Sequence, residues 1–448
     1  MKRVAVFGLA LTGTAVARVL TERGIDVVLG DDRITDAHID LARELNSELC
    51  DFSDDSAVDR LLDGVDTLLP APGVPPHHQV IVAAEKRAIR IRSEIDVAYE
   101  WEQERAGGPR PLLGVTGTDG KTTTTMIAAH LLRTAGMKTA EVGNTDLPFM
   151  AAIDDSYDAF VVECSSFRLQ YLSQFRCDAS VWLNIAPDHL DWHPNFEHYV
   201  EAKKSLWKFS RASDVAIAPY GNDVIVSAAQ SCGARVVTFG GTAGDYRVVN
   251  HELVSPSGSM MSVDSLWRSM PHDVTNSLAA AALVLETQLC SPSQVAQGLQ
   301  SFESAHHRIE FVGEFDGVRW FNDSKATSPH AALTAIRAFD RLVLIAGGRN
   351  KDLDLRQMAT EPQRMEGVVA FGDDAELIES AFHGVCPVVR AGSMDEAVRS
   401  AHQMVSRGNA VVLSPGCTSY DWYKNYGERG DDFMRAVRSY FAEKGIVK

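Results

Sequence analysis

Residues 114–125 read GVTGTDGKTTTT. A glycine-bearing turn that runs into a lysine and a threonine can surround a phosphate. The N–H groups from Gly117 to Lys121 can ring its oxygens at a helix N-terminus, with Thr118, Asp119 and Gly120 between them. Lys121 brings a point charge to the β and γ positions, and Thr122 offers a hydroxyl to Mg2+. Val115 stands where the first glycine of the GxxxxGK[ST] pattern belongs, so the loop is a variant of the usual switch or kinase form. The plainer reading is a glycine turn before a Thr-rich helix. Threonine is a mediocre helix former, however, and four in a row point past propensity.

Other stretches add candidate groups. VVECSSF puts Glu163 at a strand end, either as a Mg2+ ligand or as a solvated carboxylate. NIAPDHLDWHP gathers Asp188, His189, Asp191 and His193. The i, i+4 His pair suggests zinc, but HExxH is absent; a lone His or Asp on Mg2+ suits ATP chemistry better, and a plain loop remains open. Lys203 in YVEAKKSLWKF reads first as part of a solvated basic face. FNDSKATSPHA offers Asp323, Lys325 and Thr327 in a polar turn before a helix, where an anion is welcome. SPGCTSYDWYKNYGERGDDF is a small polar turn after a buried strand, the place for a loop to close on a substrate, with aromatics that are core by default. Near the start, GLALTG has Gly8 and Gly13 in dinucleotide-fingerprint register, but Ala10 replaces the middle glycine. Asp31 and Asp32 end the next strand. A structural turn, a nucleotide-like ligand and a dinucleotide all remain open there.

These residues need elements to carry them. Short apolar strands alternate with helices along the chain, which implies parallel sheets covered on both faces. RVAVFG, a helix ending at Gly24 and DVVLGDD begin the first such unit, and YEWEQERAGGPRP reads as a linker. A second unit starts at LLGVTG, with strand candidates AFVVEC and ASVWLNI. A third starts near HHRIEFV and carries RLVLIAGG, GVVAFG and AVVLSPG. The length of 448 residues fits about three domains. The net charge of −17 argues against broad nucleic-acid binding. Seven cysteines without CxxC spacing read as reduced thiols. No apolar run approaches a membrane span, and the basic, apolar start reads as strand, turn and helix rather than a secretory leader. The chain is expected in the cytoplasm.

Taken in order, GVTGTDGKTTTT, VVECSSF, NIAPDHLD, HRIEFV, FNDSKAT and the C-terminal block resemble the Mur ligases of bacterial cell-wall synthesis over nearly the whole chain. The NDSKAT and SPG…YKNY…RG blocks resemble the glutamate-adding member. The resemblance implies an α/β chain of three domains. A Rossmann-like UDP-binding sheet spans 1–92, a P-loop ATPase sheet 93–303, and a Rossmann-like domain 304–448 that closes over ATP and the amino acid. It implies that ATP phosphorylates the carboxylate of UDP-N-acetylmuramoyl-L-alanine and that the amine of D-glutamate attacks the acyl phosphate. Lys121, Glu163, His189 and Lys203 would be catalytic. Thr122 and Glu163 would hold one Mg2+, and His189 with a carbamylated Lys203 a second. Thr118 through Thr124, including Thr123, together with Asn276, Arg308 and Asp323, would bind ATP. Leu11, Thr12, Asp32, Arg33, Gly73 and Asn144 would bind the UDP-sugar. Lys325, Thr327, Lys351, Ser419, Tyr420 and Tyr426 would bind glutamate. A monomer is expected, without nucleic acid or membrane insertion. The chain departs from the family pattern at Arg168 (for glutamine), Asp273 (for asparagine), Tyr426 (for phenylalanine) and Ala71 (for serine). An amide ligase using L-glutamate or making folylpolyglutamate, a non-catalytic nucleotide-binding module and a dehydrogenase are the rival readings.

Overall fold

Runs such as RVAVF, LLGVT and LVLIAG are apolar without alternation, and such strands are stable only with both faces covered. They form interior strands of three sheets in the computed structural model, which describes residues 1–52, 56–190, 192–303, 306–350 and 353–446. The first sheet holds β1 (Arg3–Phe7), β2 (Asp26–Asp31), β3 (Glu48–Asp51), β4 (Thr67–Pro70) and β5 (Arg90–Ile91), all parallel, in the order β3-β2-β1-β4-β5. The second holds β6 (Leu112–Thr116), β7 (Thr139–Gly143), β8 (Ala159–Glu163), β9 (Ala179–Trp182), β10 (Val215–Pro219) and β11 (Arg235–Phe239). Its order is β11-β10-β9-β6-β8-β7, again parallel. A small antiparallel sheet of β12 (Arg247–Val249), β13 (Glu252–Ser255) and β14 (Gly258–Ser262) follows. The third large sheet holds β15 (Glu310–Phe315), β16 (Val318–Asn322), β17 (Leu342–Gly347), β18 (Met365–Phe371), β19 (Val388–Ala391) and β20 (Ala410–Gly416). It is ordered β15-β16-β20-β17-β18-β19, and only the β15–β16 pair is antiparallel.

Contacts divide the chain into two compact units, 1–269 with 273–302 and 270–272 with 303–448. The first unit contains two large sheets because one apolar cluster runs through both. Leu20 and Leu29 from the first sheet's side join Ile95, Phe149 and Phe160 of the second. Buried Asp96 clasps the same region: Oδ1 accepts the N–H groups of Ser173, Gln174 and Phe175 at 2.9, 2.8 and 2.9 Å, and Arg92 Nε donates to Oδ2 at 2.7 Å. All seven cysteines are free thiols. Among the described residues no helix is long and apolar enough to cross a membrane.

The turn after β1 shows why its glycines are required. Gly8 has φ +90°. The helix Leu11–Glu22 leaves so close to it that a Cβ on Gly13 would lie 1.9 Å from the Gly8 carbonyl oxygen. Gly13→Ala is therefore expected to destabilise the fold by about 3 kcal/mol through overpacking. A lowered urea midpoint with unchanged slope measures it; an unshifted midpoint would show that the backbone gives way freely.

Candidate active site

β6 ends at Thr116, and the helix Lys121–Thr134 starts after Gly117–Gly120. Gly120, at φ +79°, begins this helix without a side-chain cap. The first-turn N–H groups at Lys121, Thr122 and Thr123 thus have no intrahelical acceptor, which makes the turn an anion site. Thr123, Thr124 and Thr125 are buried, and the hydroxyls of the last two have no partner. A Cβ on Gly120 would lie 2.7 Å from Asn276 Oδ1, so this glycine is also demanded by close packing. Within the loop, the N–H groups of Thr118 and Asp119 donate to Asn184 Oδ1 at 3.0 and 2.9 Å, and Asn184 Nδ2 returns a bond to the Asp119 carbonyl at 3.1 Å. The ring of donors expected from Gly117 to Lys121 is therefore shifted along the chain. Two of its members are held by an asparagine, and the open donors begin at the helix. Asn184 follows β9 and opens the NIAPDHLD stretch, where the motif reading gave it no role. Lys121 Nζ curls over the loop, donating to the carbonyls of Gly117 and Thr118 at 2.9 and 2.7 Å.

The helix Phe196–Lys204 is capped by Asn195, whose side chain accepts from His198 N at 2.8 Å. Its i, i+4 face puts Tyr199 and Lys203 inside, each 1% exposed. Lys203 Nζ donates to the Gly117 carbonyl at 2.6 Å and lies 4.7 Å from the Tyr199 ring centre. Tyr199 OH is 3.1 Å from Thr118 Oγ1. Burial, and then the charge of Lys121, holds the Lys203 amine well below the usual lysine range. Its neighbour Lys204 turns outward and pairs with Glu201 at 3.3 Å. The solvated face read from the sequence therefore describes Lys204 and not Lys203. Helical period decides this, because only one of two adjacent lysines can share the Tyr199 face.

Glu163 ends β8, level with Val115 of β6. It is buried; Oε1 accepts from Asn144 Nδ2 at 2.9 Å, and Oε2 is buried without a partner among the described residues. An orphaned carboxylate oxygen is costly unless something coordinates it, and an oxygen donor beside a phosphate loop suits Mg2+. Asn144 also donates its N–H to the Glu163 carbonyl at 2.8 Å, so here it positions the acid. His189 has φ +52° and places Nε2 3.3 Å from Asp188 Oδ2. His193 instead is buried between Ser166 Oγ at 2.9 Å and His198 Nδ1 at 2.8 Å, and burial lowers its pKa to about 3. It is a packed, neutral histidine, and the two histidines of the i, i+4 pair sit in different surroundings. Among the described residues no three His, Cys, Asp or Glu gather as a metal cage. Asp191 lies outside the described residues.

In the first sheet, Asp31 is occupied by the backbone: Leu9 N donates to Oδ2 at 2.6 Å and Arg33 N to Oδ1 at 3.1 Å. Asp32 is exposed and pairs with His78 Nε2 at 3.0 Å. Leu11, Arg33 and Gly73 are exposed, and Thr12 is half-buried on the first helical turn. The Ala71 N–H bonds the Phe7 carbonyl at 2.7 Å, and its methyl lies where a Gly8 Cβ would fall, so the small residue fits that approach. Asp273 is fully buried and forms a two-pronged pair with Arg268, which explains a carboxylate in place of the amide.

The second unit carries its own cluster. Asp323 follows β16, buried, with Oδ1 accepting from Ile309 N at 3.2 Å and Oδ2 from Ser414 Oγ at 2.7 Å. Burial pushes its pKa up to about 6, and these bonds and Arg308 oppose the rise. Lys325 Nζ lies 5.2 Å from the centre of the ring of Tyr426, an exposed residue. Thr327 is half-buried, Ser419 buried and Tyr420 exposed. Lys351 and the expected domain start at 304 lie outside the described residues. Arg429, the arginine of the C-terminal RG block, to which the motif reading gave no role, is fully buried beneath this cluster. Its guanidinium donates to Ser324 Oγ and O at 2.9 and 2.8 Å and to the Cys417 carbonyl at 3.1 Å, pinning the turns after β16 and β20 together. Burial lowers its pKa to about 10. It sits on the buried face of the helix Tyr426–Glu443, and its sequence signal was its place in the RG block.

A phosphate loop, an orphaned carboxylate on the adjoining strand and a buried amine bonded to the loop are groups that nucleotide-driven activation of an acid can use, as in an ATP-dependent amide-forming ligase. Comparison with known proteins agrees at every scale. Residues 2–93 match the Mur ligase MurD-like N-terminal domain, 115–284 the Mur ligase middle domain, and 307–417 the Mur ligase glutamate ligase domain. The UDP-N-acetylmuramoylalanine–D-glutamate ligase of Syntrophus aciditrophicus is 33% identical, with 98% of each chain covered. The enzyme of the same name from Streptomyces avermitilis is 35% identical, again over 98% of each. The MurF ligase of Thermotoga maritima in complex with ADP shares the fold, with a TM-score of 0.60 at 17% identity over 94% of this chain and 91% of that one. The chain belongs to the Mur ligase family.

Proposed function

We infer that the chain is an ATP-dependent ligase that adds D-glutamate to UDP-N-acetylmuramoyl-L-alanine in cytoplasmic peptidoglycan-precursor synthesis, acting as a monomer. The observation that carries the reading is Lys203: a buried amine, held below the usual lysine range, on the carbonyl of the phosphate loop. The names of relatives matched along 98% of the chain supply the substrates.

A carboxylate is a poor electrophile until one oxygen becomes a phosphate leaving group. The first-turn N–H groups and Lys121 hold the transferring phosphate and offset its charge, and transfer places a γ-phosphoryl group on the alanyl carboxylate with ADP leaving. The amine of D-glutamate then forms the amide, and phosphate departs. Mg2+, when bound by Thr122 and Glu163 and by His189 with a carbamylated Lys203, supplies charge neutralisation between the two anions. A neutral Lys203 amine can take up CO2, forming an N–C bond and losing a proton, so that a cation becomes an anionic oxygen ligand. Asn276 contributes to adenine, Arg308 to phosphate and Asp323 to ribose. Leu11, Thr12, Asp32, Arg33, Gly73 and Asn144 serve the UDP-sugar. Lys325, Thr327, Lys351, Ser419, Tyr420 and Tyr426 serve the two carboxylates of glutamate.

The test is phosphate release from ATP with Mg2+ and UDP-N-acetylmuramoyl-L-alanine, comparing D-glutamate, L-glutamate and no amino acid. Release with D-glutamate alone, and an amide product of matching mass, is expected. Release with L-glutamate instead would move the chain to a variant acceptor. Release with neither would favour a nucleotide-binding module.

A further inference from the structure

Arg168 follows β8 and is only 3% exposed. One end of its guanidinium pairs with Glu94 Oε1 at 2.5 Å, and Nη2 donates to Thr12 Oγ1 at 3.0 Å. Glu94 is itself buried, and its other oxygen accepts the Met150 N–H at 3.1 Å. The carboxylate therefore grips only one corner of the fork. Nε is buried without a partner among the described residues. Arg168 is one of the residues lining a narrow cavity that also touches Ala71, Pro72, Phe167 and Trp192.

The Thr12 hydroxyl accepts from an arginine, so its own O–H remains to be donated, and a charged donor behind it strengthens that donation. Thr12 is the second residue of the helix Leu11–Glu22, whose N-terminus has no side-chain cap and no acid in its first turn. Open N–H groups and a polarised hydroxyl at one helix end are complementary to a phosphate. A glutamine at position 168 would be neutral and shorter, and could not hold Glu94 and Thr12 with one planar fork.

We propose that Arg168 is a positioning residue that aims the Thr12 hydroxyl at the diphosphate of the sugar nucleotide and ties that grip to the strand carrying Glu163. This rests on the assignment of the first sheet to the UDP-sugar. It gives Arg168 a specificity role on the sugar-nucleotide side, acting through Thr12 and not on ATP.

The experiment measures UDP-N-acetylmuramoyl-L-alanine binding by calorimetry, and KM for each substrate with kcat, in the full chain. Arg168→Gln is expected to weaken sugar-nucleotide binding about tenfold, the loss of one charge-assisted hydrogen bond, with kcat and the KM for ATP within about twofold of wild type. Thr12→Val, which keeps the side-chain shape, is expected to show a similar loss. The double variant is expected to be no weaker than either single, since both break one chain of bonds. Wild-type affinity in Thr12→Val, additive losses in the double variant, or an equal fall in kcat and both KM values in Arg168→Gln would overturn the proposal. If Arg168→Gln misfolds, Arg168→Lys, which keeps the charge and loses the planar fork, is expected to weaken sugar-nucleotide binding likewise, and wild-type affinity in it would overturn the proposal. Failure of the wild-type chain to bind UDP-N-acetylmuramoyl-L-alanine would overturn the functional reading and this proposal together; binding alike by wild type and variants overturns this proposal alone.

Discussion

Lys203→Ala is expected to lower turnover about a thousandfold, the scale on which a single preorganised electrostatic group matters, and to regain part of it when a short carboxylic acid such as formate or acetate is added. The reason is in the surroundings of the amine. It is 1% exposed, bonded to the Gly117 carbonyl and near Lys121, with no carboxylate bonded to it among the described residues. A protonated lysine is costly there, and a neutral one can react with CO2. An added carboxylate can take the place of the lost carbamate, because it presents the same oxygens from solution. Unchanged turnover in Lys203→Ala would remove this residue from the mechanism. Loss without rescue would leave the amine important and the carbamate unsupported.

The same burial gives a pH sign. Lys203 has a folded pKa below its unfolded value near 10.5. Between these two values the unfolded chain binds more protons than the folded one, so this group's contribution to stability rises with pH across that window. Below the folded pKa its cost is fully present. Lys203→Met removes a buried ionisable group and is expected to fold at least as stably at neutral pH, with a flatter stability curve in alkaline urea titrations. A variant both inactive and destabilised at neutral pH would mean that the lysine bears on folding rather than chemistry.

Lys121→Ala is expected to abolish acyl-phosphate formation, also by about a thousandfold or more, because in-line transfer between two anions depends on charge placed where it develops. Its binding of the UDP-sugar should remain. Among the described residues Lys121 Nζ bonds the loop carbonyls of Gly117 and Thr118, and the first sheet does not rely on it. Single-turnover phosphate release and sugar-nucleotide calorimetry on one preparation separate the two effects. Turnover that survives would remove the phosphate-loop reading of residues 114–125.

Much was legible in local order. The alternation of short apolar strands with helices specified parallel sheets, since a strand apolar on both faces has no stable alternative to cover on both sides. A glycine turn, a lysine and threonines marked the phosphate loop, because backbone N–H groups at a helix start do the binding and only small residues let them approach. The C-terminal blocks were readable as small polar turns after buried strands for the same reason. The buried role of Arg429 within that block was not readable: an arginine on an amphipathic helix looks solvated until packing turns that face inward.

The sequence by itself determined which residue types are present and which short segments carry them: Lys121 at a helix start, Glu163 at a strand end, Lys203 on a helix, Arg168 in a turn. Only the tertiary structure decided what each one meets. Asn184 takes two loop N–H groups, Asn144 and Glu163 share two hydrogen bonds, and Arg168 reaches Thr12 across more than 150 positions of chain, |i−j| being 156. Strand pairing and core packing are long-range, and a side chain's charge state follows from its burial and partners. Those quantities exist only after distant segments have been brought together.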